Sequence, residues 1–329
     1  MRQQQFEADN QPLWDEIAQM MDDLQRTRGK RRLSRAQQLR FPARYRQLCS
    51  HYALARSRGF SPTLIEQLHG LVLRGHPLLY RQRGGWRWRL LHFILGGFPR
   101  AVRRNRVYFA LSLLCFLLPA LLMGSGCYLQ EDLIYTVMDE YMVAEMESAY
   151  DPANNHPGRS SERSSESDFT MFGYYILNNI GIGFRTFATG ILLGVGTLFI
   201  LLFNGLVIGA VAGHVSRLGY HETFWPFVSG HGSLELTAIV ICGAAGLLLG
   251  QAVVAPGQRS RVQALREHAG EALQLVMGAA LMLLAAAFVE AFWSSGALQP
   301  TAKYIVAALL WSGVILYLSL MGRGSRGSR

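Results

Sequence analysis

Residues 174–250 read YYILNNIGIGFRTFATGILLGVGTLFILLFNGLVIGAVAGHVSRLGYHETFWPFVSGHGSLELTAIVICGAAGLLLG, and this stretch decides the fold. It is almost continuously apolar, yet it carries Asn178, Asn179, Arg185, Asn204, His214, His231 and Glu235. Polar groups in hydrocarbon are costly and face a bundle interior or a wet cavity rather than lipid. Glycines recur at helical spacing, as Gly205, Gly209 and Gly213 and again as Gly246 and Gly250. Small residues at that spacing let membrane helices approach closely. The stretch predicts the buried core of an all-α, polytopic membrane protein.

Composition agrees. Half of the 329 residues are hydrophobic and 16% are charged. The apolar residues bunch into runs of about 18–23, long enough to cross ~30 Å of hydrocarbon. The net charge of +10 is unevenly spread: residues 1–106 hold 21 Lys/Arg against 7 Asp/Glu, and residues 130–170 hold 2 against 10. The basic part is interleaved with apolar residues, which argues against a nucleic-acid partner and for anionic lipid headgroups. Cys49, Cys115, Cys127 and Cys242 are scattered, so neither a disulfide framework nor a zinc site is indicated. The first residues, MRQQQFEADNQPLW, lack the apolar centre of a cleavable signal.

Working outward, residues 1–85 predict a cytoplasmic helical domain that buries little by itself. Its helices fall at 10–24, with Asn10 or Gln11 before the first turn, at 34–58, and at 61–80 after Gly59 and the Ser61-Pro62 start. A basic linker, RTRGKRRLSR, joins the first two. Residues 86–106 mix aromatics and arginines around an apolar centre, as in a segment lying among headgroups. The transmembrane domain, 107–321, includes an acidic external loop at 130–168. That loop carries an amphipathic helix with Leu133, Ile134, Val137, Met138, Tyr141, Met142 and Met146 on its apolar face, then a flexible polar stretch. Arg259, Arg261 and Arg266, with Arg323, Arg326 and Arg329 of the tail 322–329, belong on the cytoplasmic side. Side-counting then makes 169–213 a hairpin turning near Gly190–Gly196. Six crossings result, at 107–129, 169–188, about 191–213, 233–252, 270–293 and 302–321, with both termini cytoplasmic. Pro119 is a candidate kink in the first.

On this topology His214, His231, Glu235 and Glu290 lie toward the outer face, Asn178, Asn179 and Asn204 near the middle, and Arg185 toward the cytoplasm. Glu235 and Glu290 are placed to share a proton or to pair with His231. The same polar groups would also serve as hydrogen bonds between helices, worth ~1 kcal/mol each. His231 and Glu235 share a helix face, but HGSLE is not the HExxH zinc pattern and no third ligand is legible nearby. No GxSxG elbow or phosphate loop occurs, so no catalytic residue, metal or cofactor is expected. Phe224, Trp225, Phe227 and Trp293 read as outer-interface belt residues.

The runs NNIGIGFRTFATGILLGVG (178–196), FNGLVIG (203–209), GHGSLELTAIVICGAAGLLLG (230–250) and FVEAFWS (288–294) resemble the stage II sporulation protein M family. YRQLCSHYALARSRG (45–59) and LHGLVLRGHPLLYRQR (68–83) resemble the cytoplasmic part of its larger bacterial members, so the resemblance spans roughly 10–320. It implies a bacterial inner-membrane anchor or scaffold that couples cytoplasmic partners, MoxR-type AAA+ ATPases among them, to cell-wall hydrolases outside. It also leaves room for a homo-oligomer. The long basic N-terminal domain and the acidic loop depart from the short sporulation form. From the residues alone, a non-enzymatic scaffold, a transporter or channel using His231, Glu235 and Glu290, and an intramembrane hydrolase using His231 and Glu235 all stay open.

Overall fold

A computed structural model describes residues 3–25, 35–79, 86–153, 165–296 and 298–323. Most of the expected basic linker, much of the polar stretch before residue 165, and Arg326 and Arg329 of the tail fall outside these residues. Among the described residues the regular structure is all helical. The chain divides into two compact units, 1–88 and 89–329.

The first unit packs α1 (Gln3–Gln25), α2 (Arg35–Ser57) and α3 (Pro62–Leu79) around a core of its own. Trp14, Ile17 and Met21 from α1 meet Tyr45 and Leu48 of α2 and Leu68 of α3. This corrects the expectation that the region buries little. α1 also starts well before residue 10, so Asn10 and Gln11 lie inside it, and Asn10 Nδ2 donates to the Phe6 carbonyl at 2.8 Å. The reason is tertiary: Phe6 is buried, and Gln3 bonds the Ser61 amide at 2.9 Å and its hydroxyl at 2.7 Å. Inside the unit the Trp14 indole donates to His51 Nδ1 at 3.1 Å, and burial pushes the His51 pKa down.

The second unit is organised on one long helix. After α4 (Trp86–His92), a π turn over Phe93–Gly97 leads into α5 (Phe98–Arg104) and α6 (Arg106–Leu129). The 86–106 segment is thus broken rather than one interfacial helix: Trp86 and Trp88 stand exposed, while Phe98, Ala101 and Val102 are buried in the bundle. Arg103 clamps the far end of the chain, donating to the carbonyls of Leu318 and Met321 at 2.6 Å each. Beyond α6, a 3-10 turn (Glu131–Thr136) and α7 (Glu140–Tyr150) replace the single amphipathic helix expected. Asp139 causes the break, because its carboxylate accepts the Met142 amide at 2.8 Å and caps a new helix. Ile134, Met138 and Val143 are buried, but Tyr141 and Met142 are exposed.

α8 (Ser165–Ala188) and α9 (Val195–Arg217) form the expected hairpin, turning through Thr189–Ile191, Leu193 at φ 56° and Gly194 at φ 81°. α10 (His221–Val254) is one continuous helix. It begins well before the predicted 233, because only a three-residue turn separates it from α9. α11 (Arg261–Phe288) runs into a π turn over Val289–Ser294, and α12 (Pro300–Leu320) closes the bundle. Arg261 and Arg266 therefore sit on α11 itself rather than in a loop. α6 stays helical through Pro119.

Among the described residues, five helical stretches are long and apolar enough to cross a membrane: α6, α9, α10, α11 with its π turn, and α12. α8 is not among them; Asp168, Asn178, Asn179 and Arg185 dilute its hydropathy. α10 is apolar all round from Ala238 to Leu249 and most of it is buried, as a helix at the centre of a bundle should be. α6 and α12 instead turn leucines and isoleucines outward, Leu121, Leu122, Leu309 and Ile315 among them. α6 and α9 lie backbone to backbone: a methyl at Gly205, Gly209 or Gly213 would strike the carbonyl of Phe116, Ala120 or Gly124. Gly246 and Gly250 do the same work for the hairpin tip. Gly190 abuts the Gly246 carbonyl, and Gly194 packs on Gly250. The Thr197 hydroxyl seals that seam by donating to the Thr186 carbonyl at 2.7 Å.

The bundle has two chemically different ends. Glu131, Asp139, Glu140, Glu145 and Glu147 gather where α6 ends and α10 begins, and Arg100, Arg103, Arg104 and Arg259 gather at the other.

Candidate functional site

The acidic end of the bundle holds a cluster of polar side chains, and α10 starts it. His231 and Glu235 lie one turn apart on one face, so their side chains converge. The π turn ending α11 supplies Glu290 and Ser294. A π turn accommodates one extra residue per turn, a distortion often found at functional sites. His231 Nε2 is 3.9 Å from a Glu235 oxygen and 3.9 Å from a Glu290 oxygen. One ligating atom from each of the three residues lies within 4.8 Å of the other two.

Neighbouring groups fix the cluster. His231 Nδ1 is 3.1 Å from the Ser294 hydroxyl, so the ring's orientation is set from behind. Asn179 Nδ2 donates to the second oxygen of Glu290 at 3.4 Å and accepts at 3.0 Å from Asn178, which is itself exposed. Lys303, 4% exposed on α12, donates to the Ser294 carbonyl at 2.7 Å. The Phe227 ring stands edge-on to the imidazole, and Trp293 covers Gly230. Tyr150, the last residue of α7, packs its ring on Phe224 and Phe227. Burial first, then the charges of Glu290, Tyr175 and Glu235, hold its phenol protonated far above the ordinary tyrosine range. The Thr223 hydroxyl donates to the Tyr150 carbonyl and fixes the chain there.

The other expected residues go elsewhere. His214 is fully buried, but its Nε2 meets Glu147 on α7 at 2.6 Å, not the His231 cluster. Arg217 meets Glu131 at 3.0 Å, a second tie between α9 and the acidic segment. Asn204 turns back on its own helix and donates to the Ile200 carbonyl at 2.8 Å; Arg185 does likewise to Gly181 at 3.1 Å. Asn179 belongs with Glu290 rather than at a separate middle level. Phe224 and Phe227 are buried packing residues, not a belt, whereas Trp225 remains 40% exposed. The third acidic or imidazole group that the sequence did not place beside His231 and Glu235 is Glu290, remote in sequence and adjacent in space.

Sequence reasoning missed Tyr150, Ser294 and Lys303. Ser294 stood in the quoted run FVEAFWS, four residues after Glu290, and that spacing was the available signal. A lysine near the start of an apolar helix was another. Chemically the cluster has two carboxylates, one imidazole nitrogen turned toward both, an amide donor, a phenol and an ammonium. It is equipped to hold a proton or a cation.

The chain was compared with known proteins. A family model described as stage II sporulation protein M matches residues 107–295. A second, described as a domain of unknown function (DUF8413), matches residues 4–81. The N-terminal unit thus matches a model of its own, which narrows the family likeness from the 10–320 expected. No curated protein and no solved structure matches.

Proposed function

The chain belongs to the stage II sporulation protein M family, and on that premise we propose that it is an integral membrane scaffold. It couples a cytoplasmic partner, of the MoxR-type AAA+ class, to envelope or cell-wall remodelling factors outside. In this reading α8 is the sixth crossing, both termini are cytoplasmic, and the membrane is the bacterial inner membrane. The arginine-rich end then faces the cytoplasm and its anionic headgroups, in line with the positive-inside rule. The reading assigns the chain no catalytic role.

One observation carries it. The acidic segment 131–150 is tied to the bundle by Glu147–His214, Glu131–Arg217 and the Tyr150–Thr223 contact. A segment held at several points presents a fixed surface, and fixed surfaces suit partner binding because less ordering entropy is lost on association. Reporter fusions at residues 155 and 262 test the topology; a cytoplasmic signal at 155 or an external one at 262 defeats it. Native copurification tests the role: a wall hydrolase or AAA+ ATPase is expected to come down with the chain. A second reading, ion or proton transport through the His231, Glu235 and Glu290 cluster, is favoured by the convergence of those three residues from two helices. Flux into liposomes carrying the purified chain, with no copurifying partner, would replace the scaffold by it.

A further inference from the structure

We propose that His231, Glu235 and Glu290 bind a single divalent transition-metal ion of the zinc class at the acidic end of the bundle. Three features of the geometry lead there. First, the distances fit an ion better than a direct contact. A gap of 3.9 Å from Nε2 to each carboxylate is too long for a hydrogen bond. A tetrahedral ion bonded at ~2.0–2.2 Å to imidazole nitrogen and carboxylate oxygen sets two ligands about 3.3–3.6 Å apart, so each gap closes by only a few tenths of an ångström around it. All three ligand atoms stay within 4.8 Å of one another, so one centre reaches them with small side-chain adjustments.

Second, each ligand has its back turned to a partner. His231 uses Nδ1 on Ser294 Oγ, which turns Nε2 toward the two carboxylates, and Asn179 holds one oxygen of Glu290 while the other faces His231. That is the outer-shell arrangement that fixes imidazole tautomer and carboxylate orientation at metal centres. Third, the charge fits. Two carboxylates facing one another in a mostly buried space repel unless a proton or a cation lies between them. Lys303, held on the Ser294 carbonyl, brings one positive charge close by against two carboxylates, and a divalent ion supplies the rest. One nitrogen and two oxygens suit Zn²⁺, with Mn²⁺ and Fe²⁺ the next candidates. This inference concerns the ion and stands apart from the scaffold reading.

The test uses the full chain, purified without a polyhistidine tag in lipid nanodiscs. Zinc retained after dialysis is measured by elemental analysis, and Co²⁺ is added to chelator-treated protein to read its visible absorption. One zinc per chain is expected, with a Co²⁺ spectrum of low coordination number that added Zn²⁺ abolishes. His231→Ala and Glu290→Gln should lower retained zinc at least tenfold. Ser294→Ala should weaken binding by roughly 10–100-fold, as losses of outer-shell partners do. Glu222→Gln, on the first turn of the same helix, should change nothing. Wild-type protein that elutes as a single folded species yet retains no zinc and gives no such Co²⁺ spectrum overturns the proposal. So does zinc retained equally by a folded His231→Ala/Glu235→Gln/Glu290→Gln variant. Should the variants fail to fold, the wild-type retention and spectrum still decide.

Discussion

His214 Nε2 on α9 lies 2.6 Å from Glu147 Oε1 on α7, and His214 is 1% exposed. Its Nδ1 is buried with no hydrogen-bond partner among the described residues. Replacing Glu147 with Ala should therefore leave a buried ring wholly unpaired, at about 1–3 kcal/mol. Hydrogen exchange over residues 140–150 should accelerate by the matching factor. Glu147→Gln, which still offers a bonding partner, should recover part of the protection. Unchanged exchange in the alanine variant would mean that α7 is held by its apolar residues alone.

The glycine seam between α6 and α9 makes a sharper contrast. A methyl at Gly209 meets the Ala120 backbone, whereas one at Gly313 on α12 meets nothing within 4 Å. Backbone cannot swing aside as a side chain can. Gly209→Ala should cost about 1–3 kcal/mol or more through overpacking. Gly313→Ala should be neutral or slightly stabilising, because alanine is the better helix former. Thermal unfolding followed by size-exclusion chromatography in detergent reads both, and equal melting temperatures would refute the seam.

In the N-terminal unit, His51 accepts from the Trp14 indole and its pKa lies below the usual value. The sign follows from linkage. The unfolded chain binds a proton near pH 6.5 that the folded unit resists, so stability is full above that pH and falls as the solution is acidified through it. Protonation also removes the lone pair that Trp14 uses. Protease susceptibility of residues 3–79 should rise between pH 7 and pH 5 in the wild type. The rise should be much smaller in His51→Gln, and the ratio of the two cancels the protease's own pH dependence. Parallel curves for the two proteins would count against this role for His51.

Glu235→Gln keeps the shape of the side chain and removes its charge. It should preserve expression and insertion yet lower function, with His231→Ala giving a similar loss. The double variant should be little worse than either single, because the residues share one centre. Complementation of a deletion strain, scored beside protein abundance, checks this. Full activity of Glu235→Gln at normal abundance would reduce the cluster to hydrogen bonds that hold helices together.

How much of this was legible depends on the range of the interaction involved. The hairpin turn near Gly194, the α2–α3 break at Gly59 and the small-residue faces were readable because each rests on local backbone geometry or on helical spacing. His231 and Glu235 stood out because charge in an apolar run is anomalous. Glu290 was visible as a residue but not as their neighbour, since nothing in a single chain says which α11 turn opposes which α10 turn. His214 misled for the same reason: a buried histidine near an outer face has several candidate partners, and Glu147 reaches it from a segment read as lying apart. The start of α1 was missed because Phe6 and Gln3 are recruited by residues some sixty positions away.

Tyr150 gives the acidic segment and the buried cluster a common fate. Its carbonyl is held by Thr223, its ring rests on Phe224 and Phe227, and its phenol feels the charges of Glu290 and Glu235. Peeling α7 from the bundle therefore strips a wall from the cluster and admits water to it. The converse holds with equal free energy, because coupling between two sites is reciprocal. Whatever tightens the cluster raises the force needed to lift α7, and whatever grips α7 alters the dielectric around His231. The acidic segment and the buried cluster therefore answer together to a change made in either.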